Sequence, residues 1–330
     1  MKKIKIAQLG INRFSHSNMI FRSITKNSDV FEVAGYVILE DEREYLSELM
    51  PYLGDYKELT LDEVLNDPEI VAVTVETEEK HLTKYALLAA EHGKHIHMEK
   101  PGGAYEKEFE KLIETVKKNN LVFHTGYMYR YNPVILDTKK RVESGEIGDI
   151  ICVEAQMNCY EPDNLCKWLN GYPGGMMFFL GCHLTDLVLQ FMGEPRKVIP
   201  LNASTKKNGE ENRDFGMAVF EYDTGYSFAK TSAAEVGGFA RRQFVISGTK
   251  GTIELKPLEY YKNDLIATDR TIYKSLDWCD RGELEIGDTF DRYDTMMRSF
   301  AEYVRGEKKN PFTPDYELML HKTIMKTCGE

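Results

Sequence analysis

The stretch that decides the fold reads His92-Gly93-Lys94-His95-Ile96-His97-Met98-Glu99-Lys100-Pro101-Gly102-Gly103. A helical pattern over residues 81–91 stops at Gly93, the residue type that most often follows the end of a helix. Four β-compatible residues come next, and Pro101 keeps the residue before it out of the helical conformation. The pattern therefore predicts that Lys100 lies at the carboxyl end of a strand, the edge where open α/β sheets bind ligands.

Taken alone, Lys100 is more often a solvated lysine beside a proline that begins a helix, because short motifs frequently match by chance. The first 125 residues favour the functional interpretation, since strand and helix patterns alternate along them. Strand patterns cover residues 4–9, 31–39, 70–75 and 121–124, and helix patterns cover residues 17–25, 81–91 and 105–119. The segment Thr60-Leu61-Asp62-Glu63 has the spacing of a capping box before a further short helix. This alternation predicts a parallel, doubly wound sheet of Rossmann type, with a dinucleotide-binding domain over residues 1–125.

Residues 126–330 have a different pattern, and we expect them to form an α+β domain that binds substrate and mediates oligomerisation. A helix ending near residue 144, a strand over residues 150–158 and an aromatic loop over residues 160–172 precede one long apolar helix over residues 176–192. Strand patterns separated by short turns, from residue 197 to about residue 255, indicate a mostly antiparallel open sheet. Two helices, over residues 289–305 and 315–328, follow.

Composition narrows the class of protein. A chain of 330 residues has the size of two domains, and its net charge of -11 argues against nucleic acid or an anionic membrane as the main partner. No apolar segment approaches the roughly 18 residues that cross a bilayer. Lys5 and Gln8 interrupt the apolar run near the start, so no secretion signal is expected there. The six cysteines form no C-x-x-C pair. We therefore expect a cytoplasmic protein with reduced thiols, no metal site, no membrane contact and no nucleic acid partner.

The turn after the first strand lies where a dinucleotide-binding domain has its G-x-G-x-x-G motif. Gly10 supplies the first glycine, Asn12 occupies the second glycine position and Ser15 the third. Asn tolerates a left-handed backbone better than most residues, and Ser is small enough for close packing of helix on strand. The loop is therefore compatible with a bound phosphate, although the motif is weak by itself.

A carboxylate that binds ribose is expected near the end of the second strand. The usual position holds Ile38, and Glu40 and Asp41 lie just beyond it. Either acid has the reach to bind ribose, and both are also typical of solvated loop residues. Arg13 and Arg43 are compatible with a 2′-phosphate, so the sequence leaves NAD and NADP open.

His183 and Asp186 are the groups with catalytic potential on the long apolar helix. Their i, i+3 spacing places them near one face. Small and apolar neighbours predict a partly desolvated imidazole, which favours the neutral, proton-accepting form. A core histidine bonded to a backbone carbonyl is the alternative. Asp186 either orients His183 or fixes the helix against a neighbouring strand, and we favour the structural role.

Taken together, these features resemble the Gfo/Idh/MocA oxidoreductases, the family of glucose–fructose oxidoreductase and inositol dehydrogenase. The resemblance extends over nearly the whole chain and is strongest in three blocks. These blocks are Gly93 to Pro101, Arg130-Tyr131-Asn132-Pro133, and the Gly174-Gly175 helix with Gly181, His183 and Asp186.

The resemblance implies a nicotinamide cofactor, NAD or NADP, on the first domain and a sugar or polyol substrate. It implies that Lys100 touches cofactor and substrate, and that His183 accepts the hydroxyl proton. The candidate cofactor-binding residues are Gly10, Asn12, Arg13, Phe14, Glu40, Thr77, His81, Glu99 and Lys100. The candidate substrate-binding residues are Tyr127, Arg130, Trp168, Phe179 and Asp186. Arg130 is expected either to clamp a substrate carboxylate or to tie the two domains together.

The sequence departs from the family pattern at two places in the site. The family's usual catalytic Asp, one turn before the histidine, is Phe179, which cannot polarise a hydroxyl but can stack on a sugar face. The usual Thr-Pro-Asn contact to the cofactor reads Thr77-Glu78-Glu79 and follows Glu76. We expect these three carboxylates to weaken binding of an anionic cofactor unless they point to solvent.

Three hypotheses follow from the sequence. The first is an NAD(P)-dependent dehydrogenase or reductase that acts on a sugar, polyol or related hydroxy or keto substrate, and that assembles as a homo-oligomer, either a dimer or a tetramer. The second keeps the cofactor but has no net redox change, so that transient oxidation assists an elimination or the cleavage of a glycoside. The third is a non-catalytic protein that binds a metabolite, which Phe179 and the acidic cluster favour.

Overall fold

The computed structural model describes residues 2–330, which form two compact units. Unit 1 comprises the residues up to Met128 together with Tyr293–His321. Unit 2 comprises Tyr129–Arg292 and Lys322–Glu330. Each unit contains its own sheet and its own candidate site.

Unit 1 is built on a five-stranded sheet with the order β2-β1-β3-β4-β5, in which all neighbouring strands run parallel. Its strands are β1 (Ile4–Leu9), β2 (Phe31–Val37), β3 (Ala72–Val75), β4 (His95–Met98) and β5 (Phe123–Thr125). Strand β2 ends two residues before the predicted end, where the chain enters a 3-10 turn over Glu40–Tyr45. The parallel sheet confirms the predicted Rossmann-type architecture.

Helices join the strands of unit 1 in the predicted alternation. They are α1 (Ser17–Lys26), α2 (Leu46–Leu53), α3 (Leu61–Asn66), α4 (Glu79–Glu91) and α5 (Glu106–Lys118). The capping box is confirmed, because Glu63 N donates to Thr60 Oγ1 at 3.1 Å and Thr60 N donates to Glu63 Oε2 at 2.7 Å. Helix α5 buries Phe109, Leu112 and Val116, the spacing of a single apolar face directed at the core.

The turn after β4 holds Lys100 at the edge of the sheet. Gly103 has φ +101°, and a Cβ there would lie 1.9 Å from Thr83 Oγ1 on α4, so only glycine fits. The same hydroxyl donates to Gly102 O at 3.0 Å, and Tyr127 OH reaches Pro101 O at 3.4 Å. The turn is thereby fastened to α4 and to the segment after β5.

Unit 2 contains an eight-stranded sheet with the order β15-β14-β11-β10-β6-β9-β8-β7 and a two-stranded sheet, β12-β13. Only the β6–β9 pair is parallel among the described strands of the large sheet, which confirms the predicted, mostly antiparallel character. The strands are β6 (Ile150–Asn158), β7 (Lys197–Pro200), β8 (Phe215–Tyr222), β9 (Gly225–Ser232), β10 (Gln243–Gly248), β11 (Gly251–Leu255), β12 (Tyr260–Lys262), β13 (Leu265–Ala267), β14 (Arg270–Tyr273) and β15 (Glu283–Glu285). Alternate residues are buried along β6 and β10, and α9 packs against β6 and β9.

The remaining helices are α6 (Pro133–Glu143), α7 (Asp163–Leu169), α8 (Met176–Phe179), α9 (Gly181–Met192), α10 (Arg292–Val304) and α11 (Pro314–Cys328). Two predictions about this region were wrong. The aromatic loop contains α7, which buries Leu165, Cys166 and Leu169 at helical spacing. The long apolar helix is two helices, broken at Leu180, whose φ of −106° departs from helical geometry.

Within residues 2–330 no helix combines the length and the apolar character needed to cross a bilayer.

Candidate functional site

The loops that follow β1, β3 and β4 meet at the carboxyl edge of the unit 1 sheet. Backbone hydrogen bonds continue past the strand ends: Glu76 N donates to Leu9 O at 2.7 Å, and Glu99 N donates to Val75 O at 3.0 Å. Asn12 N donates to Glu76 O at 2.9 Å. These bonds hold the loops side by side, so residues far apart in sequence share one edge.

The β1 loop is folded around Asn12. Its Oδ1 accepts from Phe14 N at 3.0 Å, and the Ser17 hydroxyl donates to its carbonyl at 2.7 Å. Gly10 has φ +90°, and a Cβ there would lie 2.7 Å from Thr77. Only glycine fits this tight turn, which is the role of the first glycine in a dinucleotide-binding loop.

Arg13 and Phe14 form the outer part of this loop. The Arg13 guanidinium lies 5.0 Å from the ring centres of both Phe14 and Tyr45. It also forms an exposed ion pair with Glu48 at 3.7 Å. Arg13 is exposed, so a cation–π stack positions it at the surface.

Glu42 is a site residue that the sequence interpretation missed. Its Oε2 accepts from Ile11 N at 2.9 Å and from Leu39 N at 3.0 Å, joining the β1 loop to the β2 loop. Its Oε1 and the neighbouring Thr77 Oγ1 are buried and make no hydrogen bond of normal geometry within the described chain. Burial raises the pKa of Glu42 to about 7, against the lowering effect of the N–H groups of Leu39 and Ile11 and of the nearby Thr77 hydroxyl. The available signal was an acid three residues after Leu39, the spacing of a capping interaction.

Glu40 and His81 lie together beside α4. Glu40 Oε1 accepts from Lys84 Nζ at 2.7 Å and from Tyr85 OH at 2.6 Å, and it lies 3.9 Å from His81 Nδ1. The bonds from Lys84 and Tyr85 lower the pKa of Glu40 to about 2, so it stays ionised. Asp41, its sequence neighbour, is exposed.

A cluster of buried ionisable groups surrounds the predicted catalytic lysine. Lys100, Glu99 and Glu79 are each 1 % exposed, and Glu76 is fully buried. Lys100 Nζ lies 3.8 Å from Glu99 Oε1. The carboxyl oxygens of Glu76 and Glu79 reach no hydrogen-bonding partner beyond their own residue among residues 2–330. Glu78, in contrast, is partly exposed and pairs with Lys80 at 2.7 Å. We call Glu76, Glu79, Glu99 and Lys100 the acidic cluster.

Charges within the acidic cluster differ although the residue types are alike. Burial and the neighbouring Glu99 raise the pKa of Glu76 well above its usual range, against the effect of Lys100. Burial also raises the pKa of Glu79 to about 8. Burial alone would raise the pKa of Glu99, but His16 and Lys100 together outweigh it and lower the pKa. Glu99 is therefore the ionised partner of Lys100, while Glu79 holds a proton at neutral pH and burial shifts Glu76 toward its protonated form.

A buried polar chain continues from the cluster across the sheet. His97 Nε2 lies 3.6 Å from Glu76 Oε1, and His97 Nδ1 lies 2.6 Å from His124 Nδ1. Burial lowers the pKa of His97 to about 4, although Glu99 opposes the shift. One of the two histidines must carry a hydrogen on Nδ1 and the other must accept it. On the solvent side, His16 Nδ1 lies 3.4 Å from Glu99 Oε1 and His16 is partly exposed.

His183, in unit 2, is 1 % exposed. Its ring lies edge-on to that of Tyr129, with the ring centroids 5.4 Å apart. Tyr129 OH in turn donates to Glu259 Oε1 at 2.6 Å, and Glu259 pairs with Arg242 at 2.8 Å. The imidazole is desolvated as the sequence predicted, and a buried ionic network supports its aromatic neighbour.

Arg130 and Asp186 form a buried ion pair within unit 2. Arg130 Nη2 lies 2.8 Å from Asp186 Oδ1, and its Nε lies 3.0 Å from Oδ2. Each side chain is 1 % exposed. Gln190 Nε2 also donates to Asp186 Oδ2 at 2.9 Å. This geometry fastens the segment before α6 to α9.

Aromatic side chains gather around Phe179. Trp168 lies edge-on to Phe179, with centroids 5.5 Å apart, and 4.6 Å from Tyr172. Trp168 and Phe179 are partly exposed, whereas Tyr172 is buried. The two partly exposed rings give this part of unit 2 an apolar surface at the position of the family's usual acid.

The carboxyl edge of unit 1 fits a dinucleotide. Gly10 makes the tight turn that a dinucleotide-binding loop requires, and Glu42 Oε1 and Thr77 Oγ1 are buried polar atoms without a hydrogen bond of normal geometry. Buried polar groups in native proteins are normally satisfied, so such atoms indicate a polar ligand. A parallel sheet with such an edge is typical of a dinucleotide-binding domain.

Comparison with known proteins gives the family. The oxidoreductase family with an NAD-binding Rossmann fold matches residues 4–127, and the GFO/IDH/MocA C-terminal domain matches residues 135–254. The chain therefore belongs to the Gfo/Idh/MocA oxidoreductase family, which confirms the resemblance stated from the sequence.

Three similar proteins illustrate the relationship. The uncharacterized oxidoreductase YhhX of Escherichia coli is 30% identical over 193 residues, which are 58% of this chain and 54% of YhhX. The NADP(+)-dependent scyllo-inositol 2-dehydrogenase IolW of Bacillus subtilis is 27% identical over 164 residues, 49% of this chain and 46% of IolW. The alignments thus span about half the length of these relatives. The 3-ketoreductase KijD10 of Actinomadura kijaniata, solved with NADP and TDP-benzene, has a TM-score of 0.80 at 15% identity, covering 98% of this chain and 96% of KijD10.

The proton on Glu79 predicts a pH dependence of stability. Between the ordinary pKa of 4.5 and about 8, the folded protein holds a proton that the unfolded chain releases, so the free energy of unfolding falls as pH rises through this window. The slope is at most about 1.4 kcal/mol per pH unit. Glu79→Gln, which is neutral at every pH, should lose this contribution and be more stable than the wild type at pH 8. Urea unfolding at a series of pH values measures it.

Glu78→Gln is the matched control, because Glu78 is the partly exposed neighbour paired with Lys80. It should keep the wild-type pH dependence. An unchanged slope in Glu79→Gln would show that Glu79 is ionised throughout.

Because Arg130 and Asp186 form a buried ion pair, truncation of Asp186 should greatly lower the free energy of unfolding. Asp186→Ala leaves the guanidinium buried without its carboxylate, which costs about 3–5 kcal/mol of unfolding free energy. Asp163→Ala serves as the control, since Asp163 is 53% exposed in its pair with Lys207 and such pairs contribute about 1 kcal/mol or less. Denaturant unfolding compares the two variants, and equal small effects would mean that Arg130 finds another partner.

Proposed function

We propose that this protein is an NAD(P)-dependent oxidoreductase that transfers a hydride between a nicotinamide cofactor and a hydroxyl-bearing or carbonyl carbon of a sugar or polyol. The observation that carries the proposal is the ammonium of Lys100, buried at the carboxyl edge of the NAD-binding domain and 3.8 Å from the Glu99 carboxylate. The similarity to an inositol dehydrogenase supports a polyol-like substrate.

We propose that the cofactor binds to residues 1–125, which form most of unit 1. The loop from Gly10 to Phe14, with Asn12 and Arg13, would hold the phosphates, and Glu42 would accept from a ribose hydroxyl. The proposed cofactor-binding residues also include Thr77, Glu99 and the pair of Glu40 and His81. NAD or NADP, when bound, supplies or takes up the hydride.

The proposed chemistry of the protein itself rests on two side chains. Lys100 places a positive charge beside the reacting oxygen, where it stabilises a developing alkoxide. His183 accepts the hydroxyl proton at a ring nitrogen, and its burial favours the neutral form that such a base requires.

We infer that residues 126–330 bind the substrate. Trp168 and Phe179 offer ring faces of the kind that stack on sugars. Tyr127 follows β5 and its hydroxyl is directed at the Lys100 turn. Arg130 and Asp186 would act as one unit, because each is the other's buried partner. This assigns them to shaping the substrate site and not to clamping a carboxylate directly.

The six free thiols favour a cytoplasmic location, since oxidising compartments promote disulfides. The net charge of -11 supports a small-molecule substrate in preference to nucleic acid.

Lys100→Ala tests the proposed chemistry. Loss of one electrostatic stabiliser should lower kcat at least about a hundredfold. Binding of NADH, followed by its fluorescence, should persist. Lys107→Ala, an exposed substitution on α5, should behave like the wild type. Inositols and aldoses with NAD or NADP, and the corresponding ketones with reduced cofactor, are the substrates to assay.

Three outcomes separate the alternatives. No NADH binding at millimolar concentration would favour a metabolite-binding protein. Exchange of deuterium between labelled cofactor and substrate without net turnover would favour elimination or glycoside cleavage assisted by transient oxidation. Wild-type activity in Lys100→Ala would refute the role of the lysine.

We also propose a homo-oligomer that pairs through the large sheet of unit 2. Phe228 and Val245 are partly exposed on the face opposite the buried alternation of β9 and β10. Sedimentation analysis should give the mass of a dimer or tetramer, and Val245→Asp should lower it by placing a charge in the interface. Val236→Asp, outside the strands and 81% exposed, should leave it unchanged. A monomeric wild type would contradict the proposal.

A further inference from the structure

The loop after β3 buries two carboxyl groups for which the proposed reaction has no role. Glu76 and Glu79 come from the β3 end and from the first turn of α4, and both are at least 99% buried. Their oxygens reach no hydrogen-bonding partner outside their own residues in the described part of the chain. An unsatisfied buried carboxyl is costly, so these groups need an explanation beyond packing.

The charged groups around Glu79 disfavour ionisation of its carboxyl. From its own loop Glu76 and Glu78 face it, and from the β4 loop Glu99 and Lys100 face it. Around these groups, His97 adjoins Glu76, and His16 adjoins Glu99. One ammonium already has the Glu99 carboxylate as its partner. A further buried negative charge would be uncompensated, and such a group takes up a proton instead.

Glu79 also adjoins the loop that would hold the cofactor. It lies two residues after Thr77, which is so close to Gly10 that a Cβ on the glycine would be 2.7 Å away. It begins α4, a helix of 13 residues whose N-terminus favours an anion. An anionic ligand at this edge and an ionised Glu79 would repel each other.

We propose that Glu79 couples cofactor binding to protonation. The reduced cofactor binds the form of the protein in which the Glu79 carboxyl carries a proton. Where this carboxyl is ionised, binding of the reduced cofactor is accompanied by uptake of a proton from solution. The inference rests on the proposed function, because it presumes a dinucleotide at the unit 1 edge. The oxidised cofactor carries a nicotinamide cation that the reduced cofactor lacks. Reduced cofactor is therefore the more negative ligand, and its binding should take up more protons.

The direction of the pH effect follows from linkage. Below about pH 8 the Glu79 carboxyl is already protonated, so affinity for NADH should be flat. Above that pH each binding event must first return a proton to Glu79, and affinity should fall by up to about tenfold per pH unit for one proton.

Calorimetric titration of NADH into the full-length protein at pH 8.5 tests the proposal. Two buffers of different ionisation enthalpy give the number of protons taken up. The wild type should take up roughly half a proton or more, since the free carboxyl is mostly ionised there. Binding of NAD should cause less proton uptake than binding of NADH. Glu79→Gln should bind NADH with almost no uptake and with pH-independent affinity, whereas Glu78→Gln should match the wild type.

Glu42→Gln is included because Glu42 is a second buried acid at this edge. Uptake that persists in Glu79→Gln and vanishes in Glu42→Gln would assign the proton to Glu42 and overturn the proposal. NADH binding without any uptake would overturn this inference and leave the proposed function intact. No binding of NADH to the wild type would overturn both.

A second readout requires no cofactor and guards against misfolded variants. The infrared spectrum of the unliganded wild type at pH 7 should show the carbonyl band of protonated buried carboxyl groups, and Glu79→Gln should lose part of that band while keeping its amide bands. An unchanged carboxyl band in a folded Glu79→Gln would overturn the proposal.

Discussion

The burial of one ammonium group, Lys100, among three carboxyls is the interaction on which the candidate site depends. A buried charge is stable only with a partner, and Glu99 provides that partner at 3.8 Å. With this cation paired to Glu99, Glu79 stays neutral by holding a proton, and burial raises the pKa of Glu76 in the same direction. The three glutamates thus differ in their pKa shifts, although their side chains are chemically identical, because each lies near a different set of charged groups. Removing Lys100 would alter all three at once, so its effects on activity have to be separated from effects on the cluster.

The parallel sheet creates this cluster from sequence positions that are far apart. Strand ends after Leu9, Val75 and Met98 lie side by side, and backbone hydrogen bonds continue between the loops beyond them. Beneath the edge, His97 and His124 on adjacent strands extend the polar chain through the sheet. The interior of unit 1 is therefore less apolar than its alternation of strands and helices suggests. Such a network tolerates substitution poorly, because each unsatisfied member is costly in a low-dielectric interior.

Sequence reasoning predicted the architecture because periodicity and turn residues are local signals. The strand over Ile150–Asn158 and the capping box at Thr60 are examples in which the structure agrees residue by residue. Sequence reasoning failed for residues whose place in the site is determined by tertiary contacts. Glu42 became a site residue only because the chain turns at Leu39 and brings its carboxyl to Ile11 N, 31 positions away. The sequence could also not show whether Glu79 faces water, since the same three acids include the partly exposed Glu78.

Unit 1 is discontinuous, because the residues up to Met128 are completed by Tyr293–His321. This late segment supplies Phe300, whose ring lies 5.3 Å from that of His124, and Glu317, which accepts from Thr125 at 2.8 Å. A nascent chain on the ribosome must therefore expose the far side of its first sheet while Tyr129–Arg292 of unit 2 is still being translated. Vectorial synthesis cannot finish the nucleotide domain first, and a fragment cut after its last strand would lack the side chains that seal the histidine pair.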